Sequence, residues 1–231
     1  MAQRGGLIQL LDKIASKNLN ESQAQQFGNF TANAMHFYPD ADYLARPPED
    51  IFWNLWGLCQ FSAEAASPVK EAETVSRAKV RVFNPEAKVD GWSSGLTTIY
   101  INQRDMPFLV DSLRNVLNRR GLNIYTLQSN PVWAVRDGQG AIANISSDYT
   151  ESAEREAFIT IEVDAHTQSE LTDLHLDLMS VLDDVEVAVD AFEPMRQRVD
   201  SLIADLQENA PKVPQLEESL EFLRWIHNGY F

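Results

Sequence analysis

Hydrophobic positions change their period along the chain, and the change divides it. Leu7, Leu10, Leu11 and Ile14 recur at the three- and four-residue spacing of one helix face. Phe27, Phe30, Ala34 and Phe37 repeat that spacing after "NLNES", where Asn20 or Ser22 can cap a second helix. The turn "YPDADYLARPPED" follows, and Pro48 suits the first turn of a third helix carrying Ile51, Phe52, Leu55, Trp56 and Leu58. Residues 1–66 therefore read as a helical amino-terminal bundle, with a polar linker at 67–77.

From Lys79 the period becomes two. In "KVRVF", Val80 and Val82 alternate with charges as in a half-exposed strand, and "LTTIYIN" is the next strand after a loop. Between Met106 and Arg120, Phe108, Leu109, Leu113, Val116 and Leu117 form a helical stripe, stopped by arginines and Gly121. Two β-rich stretches then flank Asp-Gly-Gln-Gly, which supplies a hairpin turn, and Pro131 assigns its strand an edge or a bulge at that point. "AFITIEVDA" is a further strand, and Leu171, Leu174, Leu178 and Leu182 mark a helix capped by Thr167 or Ser169. Residues 185–190 admit two readings, strand from the alternation of Val185, Val187 and Val189, or helix from their flanks; strand is slightly preferred. A helix is expected from after Pro194 to about Gln207, and another opens with Leu216, Leu220, Leu223 and Ile226.

This order predicts an α+β fold: an amino-terminal helical bundle followed by a ferredoxin-like antiparallel sheet with helices on one face. The expected units are 1–66, 78–207 and 208–231, the last being the start of a further segment.

A net charge of −15 argues against a polyanionic partner, because nucleic acids and anionic membranes are held largely by Lys and Arg. A lone cysteine, Cys59, excludes an internal disulfide and fits a reducing compartment; its apolar neighbours make it a core residue. With no long apolar run and no signal-peptide pattern, a cytoplasmic location is expected.

Enzyme signatures are not found. Gly138 and Gly140 sit in a hairpin turn, not between a strand and a helix, so they do not form a dinucleotide loop. His36, His166, His175 and His227 have no histidine or cysteine at metal-ligand spacing. Catalytic, cofactor and metal residues are accordingly expected to be none. The best candidate for a site is the corner "QRDMPFLVDSL". Asp105 is placed to accept from free backbone N–H groups at a helix start, Pro107 fits the first turn, and Asp111 stays near the positive end of the dipole.

At these residues the chain resembles the amino-terminal region of the large bacterial NAD-dependent glutamate dehydrogenases. The likeness rests on "RPPEDIFWNLWG", "AKVRVFNPEAKVDGWSS", "NQRDMPFLVDSLRNVLNRRGLNIYTLQSNPVWAVRDGQG" and "LEFLRWIHNGYF", from roughly Tyr43 onward. The resemblance implies that the segment is ACT-like and belongs to a far longer homo-oligomeric enzyme, of which it is a fragment. That enzyme converts glutamate, NAD and water to 2-oxoglutarate, ammonia and NADH. NAD is then a cofactor of the parent and not of this fragment, and the partners are other domains of the same chain and neighbouring subunits. ACT modules that bind amino acids commonly carry Asp-x-Pro-Gly-Leu; here Asp105, Pro107 and Leu109 match, while Phe108 replaces the glycine. Its place on the apolar stripe directs Phe108 into the core. Asp105, Met106, Pro107, Phe108 and Asp111 are thus expected to form a docking corner or a vestige of a ligand site. The function expected is a non-catalytic regulatory or assembly region, with an amino-acid-sensing module as the alternative.

Overall fold

The computed structural model describes residues 2–34, 46–64, 78–146, 148–209 and 215–228. Helices α1 (Ala2–Asn18), α2 (Glu21–Ala34) and α3 (Pro48–Ala63) are followed by β1 (Lys79–Phe83), β2 (Leu96–Arg104), α4 (Leu109–Arg119), β3 (Ile124–Arg136), β4 (Ile142–Ser146), β5 (Glu154–Asp164), α5 (Gln168–Asn209) and α6 (Leu216–His227). The expected linker at 67–77, the turn before Arg46, and Phe37 lie outside the described residues. The chain divides into two compact units, Met1–Asp183 and Asp184–Phe231.

Local signals place the first elements. Asn20 accepts at Oδ1 from the Gln23 N–H (2.9 Å), and the Gln23 side chain accepts from the Asn20 N–H (3.1 Å), a reciprocal cap for α2. Pro48 opens α3 as expected, since its missing N–H would have no partner there.

The five-stranded sheet has the order β1-β2-β5-β3-β4, and every pair is antiparallel. Its central strands β2 and β5 are buried almost throughout, on both faces. The reason is a helical layer on each side. Tyr100, Val132, Ile145 and Phe158 share one core with Leu11, Phe27, Phe30, Phe52, Leu55 and Leu58 of the amino-terminal helices. Strand alternation sends Ile99, Ile101, Ile159, Ile161 and Val163 to the opposite face, where the buried stripes of α4 (Leu109, Leu113, Val116, Leu117) and α5 (Leu171, Leu174, Leu178, Leu182) supply their cover. The amino-terminal helices thus close the sheet's second face.

Two glycines permit close approaches. Gly91 has φ +80°, and a Cβ there would lie 2.5 Å from the Trp53 ring. At Gly57 a Cβ would meet the Tyr100 hydroxyl at 3.0 Å, where that hydroxyl donates to the Asn54 carbonyl (2.9 Å) and ties α3 to β2.

Two sequence expectations are corrected. Residues 185–190 are helical, within an unbroken α5. Next to β2 the sheet already holds β1, paired from Lys79↔Asn102 to Phe83↔Thr98, so that edge has no vacancy for a Val185–Val189 strand. Val185, Ala188, Phe192, Met195 and Val199 also keep a three-four helical spacing that outweighs the β preference of isolated valines. Nor does a new helix begin after Pro194, which lies inside α5 and deprives it of one donor without ending it. In the second unit, α6 meets α5 through His227, whose Nε2 lies 3.4 Å from Asp200 and 3.5 Å from Arg196, and Leu220 is buried.

Candidate functional site

At the corner, the backbone differs from the expected cap. Helix α4 starts at Leu109, and its N-cap is Phe108, with no side-chain capping bond. Pro107 therefore sits in the turn before the helix. Asp105 does not reach the free N–H groups; it pairs with Arg155 (Nε to Oδ2, 2.8 Å), while its own N–H donates to the Arg155 carbonyl (2.8 Å). Arg155 also lies 5.9 Å from the Trp133 ring, which makes an edge contact with Tyr149. The acidic loop before β5 gave no hint of Arg155 as the partner. Met106 is buried and Asp111 is exposed in the first helical turn.

Phe108 is the larger correction. It takes φ +66°, the one positive φ of a non-glycine among the described residues, and is 70% exposed. The backbone keeps the left-handed conformation that glycine adopts freely, and this rotates the ring away from the apolar stripe toward solvent. Holding an aromatic residue there costs about 1–2 kcal/mol.

A second polar constellation lies on the face of the sheet covered by the amino-terminal helices. The Arg136 guanidinium donates to both oxygens of Glu156 (2.6 and 2.7 Å) and to Asn102 Oδ1 (2.8 Å), and Asn102 Nδ2 donates to Glu156 (2.7 Å). The ring of contacts is closed. Arg136 also donates to the carbonyls of Gly140 (2.7 Å) and Ser62 (3.3 Å). Lys79 donates to the carbonyls of Phe61, Ser62 and Glu64, so two cations meet the carboxyl end of α3, where the dipole favours positive charge. Burial, then the neighbouring Arg136 charge, lowers the Lys79 pKa to about 8, against the pull of Glu64 and Glu156. Further along β5, Glu162 is held by both terminal nitrogens of Arg46 and accepts from Thr126 Oγ1 (3.0 Å).

Beside the Arg136 pair lies a cavity of about 270 Å³ bordered by Asn102, Gln103, Arg104, Arg136, Glu154 and Glu156. Gln103 borders it beyond the last β1–β2 pair and is 2% exposed; both of its amide atoms lack a hydrogen-bond partner among the described residues. The sequence carried a faint signal for this constellation: Glu156 and Glu162 interrupt the apolar run of β5 on one face, and carboxylates with such neighbours need buried partners. The partners themselves, Arg136 and Arg46, are 20 and 116 residues away.

Elsewhere, the Asn123 N–H holds the Asp164 carboxyl below its ordinary pKa, Thr167 does the same for Glu170, and the contact with Asp164 raises the Tyr125 phenol. Burial pushes the Cys59 thiol up to about 12, which makes it an inert core group. His175 is lowered by burial, and the described residues hold no cluster of His, Cys, Asp and Glu able to bind a metal ion. No described helix is long and apolar enough to cross a membrane.

Comparisons with known proteins agree with the fold. The family model described as glutamate dehydrogenase, ACT1 domain, matches residues 30–178. The NAD-specific glutamate dehydrogenase of Halomonas elongata is 33% identical over 235 residues, covering 97% of this chain and 14% of the relative. That of Pseudomonas aeruginosa is 36% identical over 159 residues, covering 66% of this chain and 10% of the relative. The chain therefore spans about a seventh or less of the curated relatives it matches. No solved structure gives a significant match. An antiparallel sheet with α4 and α5 on one face, matched over most of its length by that model, makes this chain a member of the glutamate dehydrogenase ACT1-domain family.

Proposed function

We propose that these residues form a non-catalytic regulatory or assembly region of a large NAD-dependent glutamate dehydrogenase, whose reaction takes glutamate, NAD and water to 2-oxoglutarate, ammonia and NADH. The single observation that supports this most is how the buried charges are used. Glu162, 1% exposed, is held in two-point contact by Arg46 just before α3, and Glu156, 6% exposed, by Arg136 of β3, which also donates to the Ser62 carbonyl of α3, so both arginines fasten the sheet to the helical layer. NAD belongs to the parent's catalytic part, and the partners are other domains of the same chain and neighbouring subunits of a cytoplasmic homo-oligomer. Nucleic acid and membrane are not partners. The units 1–66, 78–207 and 208–231 are proposed as the pieces through which this role is divided, with Asp105, Met106, Pro107, Phe108 and Asp111 as the docking corner. Removing the region from the long enzyme and measuring turnover, cooperativity and subunit mass tests this; preserved turnover with altered assembly or cooperativity supports it, and loss of chemistry with assembly intact overturns it.

Amino-acid sensing at the corner is the second reading, and one observation favours it: Phe108, at the position where the ligand-binding turn has its glycine, takes a positive φ that glycine adopts freely. A ligand bound only by the folded state raises the melting temperature by mass action. Titration with glutamate and other amino acids decides between the two, since a shift that Asp105→Ala abolishes supports sensing, and its absence at millimolar ligand removes it.

A further inference from the structure

In the second unit an apolar helical stripe is left partly exposed. Val185, Ala188, Phe192, Met195, Val199, Leu202 and Leu206 alternate at three- and four-residue spacing, the a and d positions of a two-stranded seam. Phe192, Met195 and Leu202 are exposed, as are Phe222 and Trp225, whose rings stack on α6. Helix α6 lies on one flank of the stripe, the flank of Arg196 and Asp200, which meet His227. Arg198 and Asp205 occupy the other flank.

Their spacing selects a partner. In an antiparallel pair of identical helices, with Val199 opposite Leu202 of the partner subunit and Met195 opposite Leu206 of the partner subunit, Arg198 lies opposite Asp205 of the partner subunit, twice by symmetry. Sliding one copy by a heptad sets Arg198 against its own copy in one direction and Asp205 against its own copy in the other. A parallel pair puts Arg198 opposite an isoleucine, Ile203 of the partner subunit. One alignment is attractive, and its neighbours in register are repulsive or uncompensated, which is how charged flanks fix register in helix pairs. The symmetry axis of the favoured alignment falls between Asp200 and Ser201, beyond Pro194, so the paired stretch is mostly regular helix.

We propose that the exposed stripe of α5, from Phe192 to Leu206, is a self-association seam that takes the same helix of a second copy in antiparallel register, fixed by Arg198 and Asp205. This deepens the assembly role proposed above and rests on it by naming a partner.

Sedimentation velocity of the whole 231-residue chain over a dilution series tests the seam. The expected result is a concentration-dependent dimer that Leu202→Glu abolishes, that Arg198→Glu or Asp205→Arg weakens about tenfold, and that the double exchange Arg198→Glu/Asp205→Arg restores. Circular dichroism checks that each variant keeps its helix content. Restoration is specific to this register, because self-facing charges stay self-facing after an exchange. A strict monomer at the highest concentration overturns the seam, as does a dimer indifferent to Leu202→Glu or one the double exchange fails to rescue. A monomeric chain whose removal still disrupts the long enzyme's assembly would sink the seam and leave the assembly role standing. Intact assembly after removal would sink the role itself.

Discussion

The two compact units use their apolar side chains in opposite ways. In Met1–Asp183, leucines at helical spacing such as Leu113, Leu117, Leu174 and Leu178 are fully buried, and even carboxylates on the sheet are tied to arginines. In Asp184–Phe231, residues at the same spacing, Phe192, Met195 and Leu202, face solvent. One pattern in the sequence therefore has two outcomes, and the number of layers available decides which. A sheet between two helical layers satisfies its stripes internally, whereas two helices together leave one side of each uncovered.

The largest expected effect breaks the first unit at its polar fastener. Arg136→Met leaves Glu156 buried without its counter-charge and should lower unfolding free energy by about 3–5 kcal/mol, read by urea denaturation. Leu174→Ala should cost about 3 kcal/mol by opening a cavity, while Leu202→Ala, on the exposed stripe, should cost less than about 1 kcal/mol in dilute chain. That pair of leucines sharpens the contrast most cheaply. Gly91→Ala should cost about 2 kcal/mol, since its Cβ meets the Trp53 ring and φ is positive. At the corner, Phe108→Gly should be about 1 kcal/mol more stable than Phe108→Ala, because glycine alone takes φ +66° without strain.

The smallest effect is one of pH. Lys79 has a folded pKa near 8 against an ordinary 10.5, so between those values the unfolded chain binds more protons than the folded one. Stability conferred at this site therefore rises as pH climbs from about 8 to 10.5, the sign opposite to that of a lysine with a raised pKa. Unfolding free energies of the wild type and Lys79→Met, compared across that window, should show the wild type gaining on the variant.

Much of the fold was legible where local chemistry decides. Asn20 and Gln23 cap α2, Gly121 ends α4 in the left-handed conformation, and Asp137 Oδ1 accepts from the Gln139 N–H in the hairpin turn, each written in a few adjacent residues. What stayed hidden depended on distant partners. Period-two alternation reveals two strand faces but not what covers them, so the packing of α1–α3 on Tyr100 and Phe158 emerged only in three dimensions. Val185–Val189 looked like a strand because alternation cannot report that β1 already fills the edge beside β2. Of the corner, the sequence located the turn but misdirected Phe108, since a helical stripe predicts direction only for residues inside the helix, and this one caps it from a left-handed backbone.

The contrast between a self-satisfied sheet unit and an outward-facing helical one is tested most directly by amide hydrogen exchange at low and high concentrations of the chain. Protection should rise with concentration in peptides covering 188–206 and stay unchanged from β1 to β5. Concentration-dependent protection at the β1 edge or at Asp105–Phe108, with 188–206 unaffected, would contradict it.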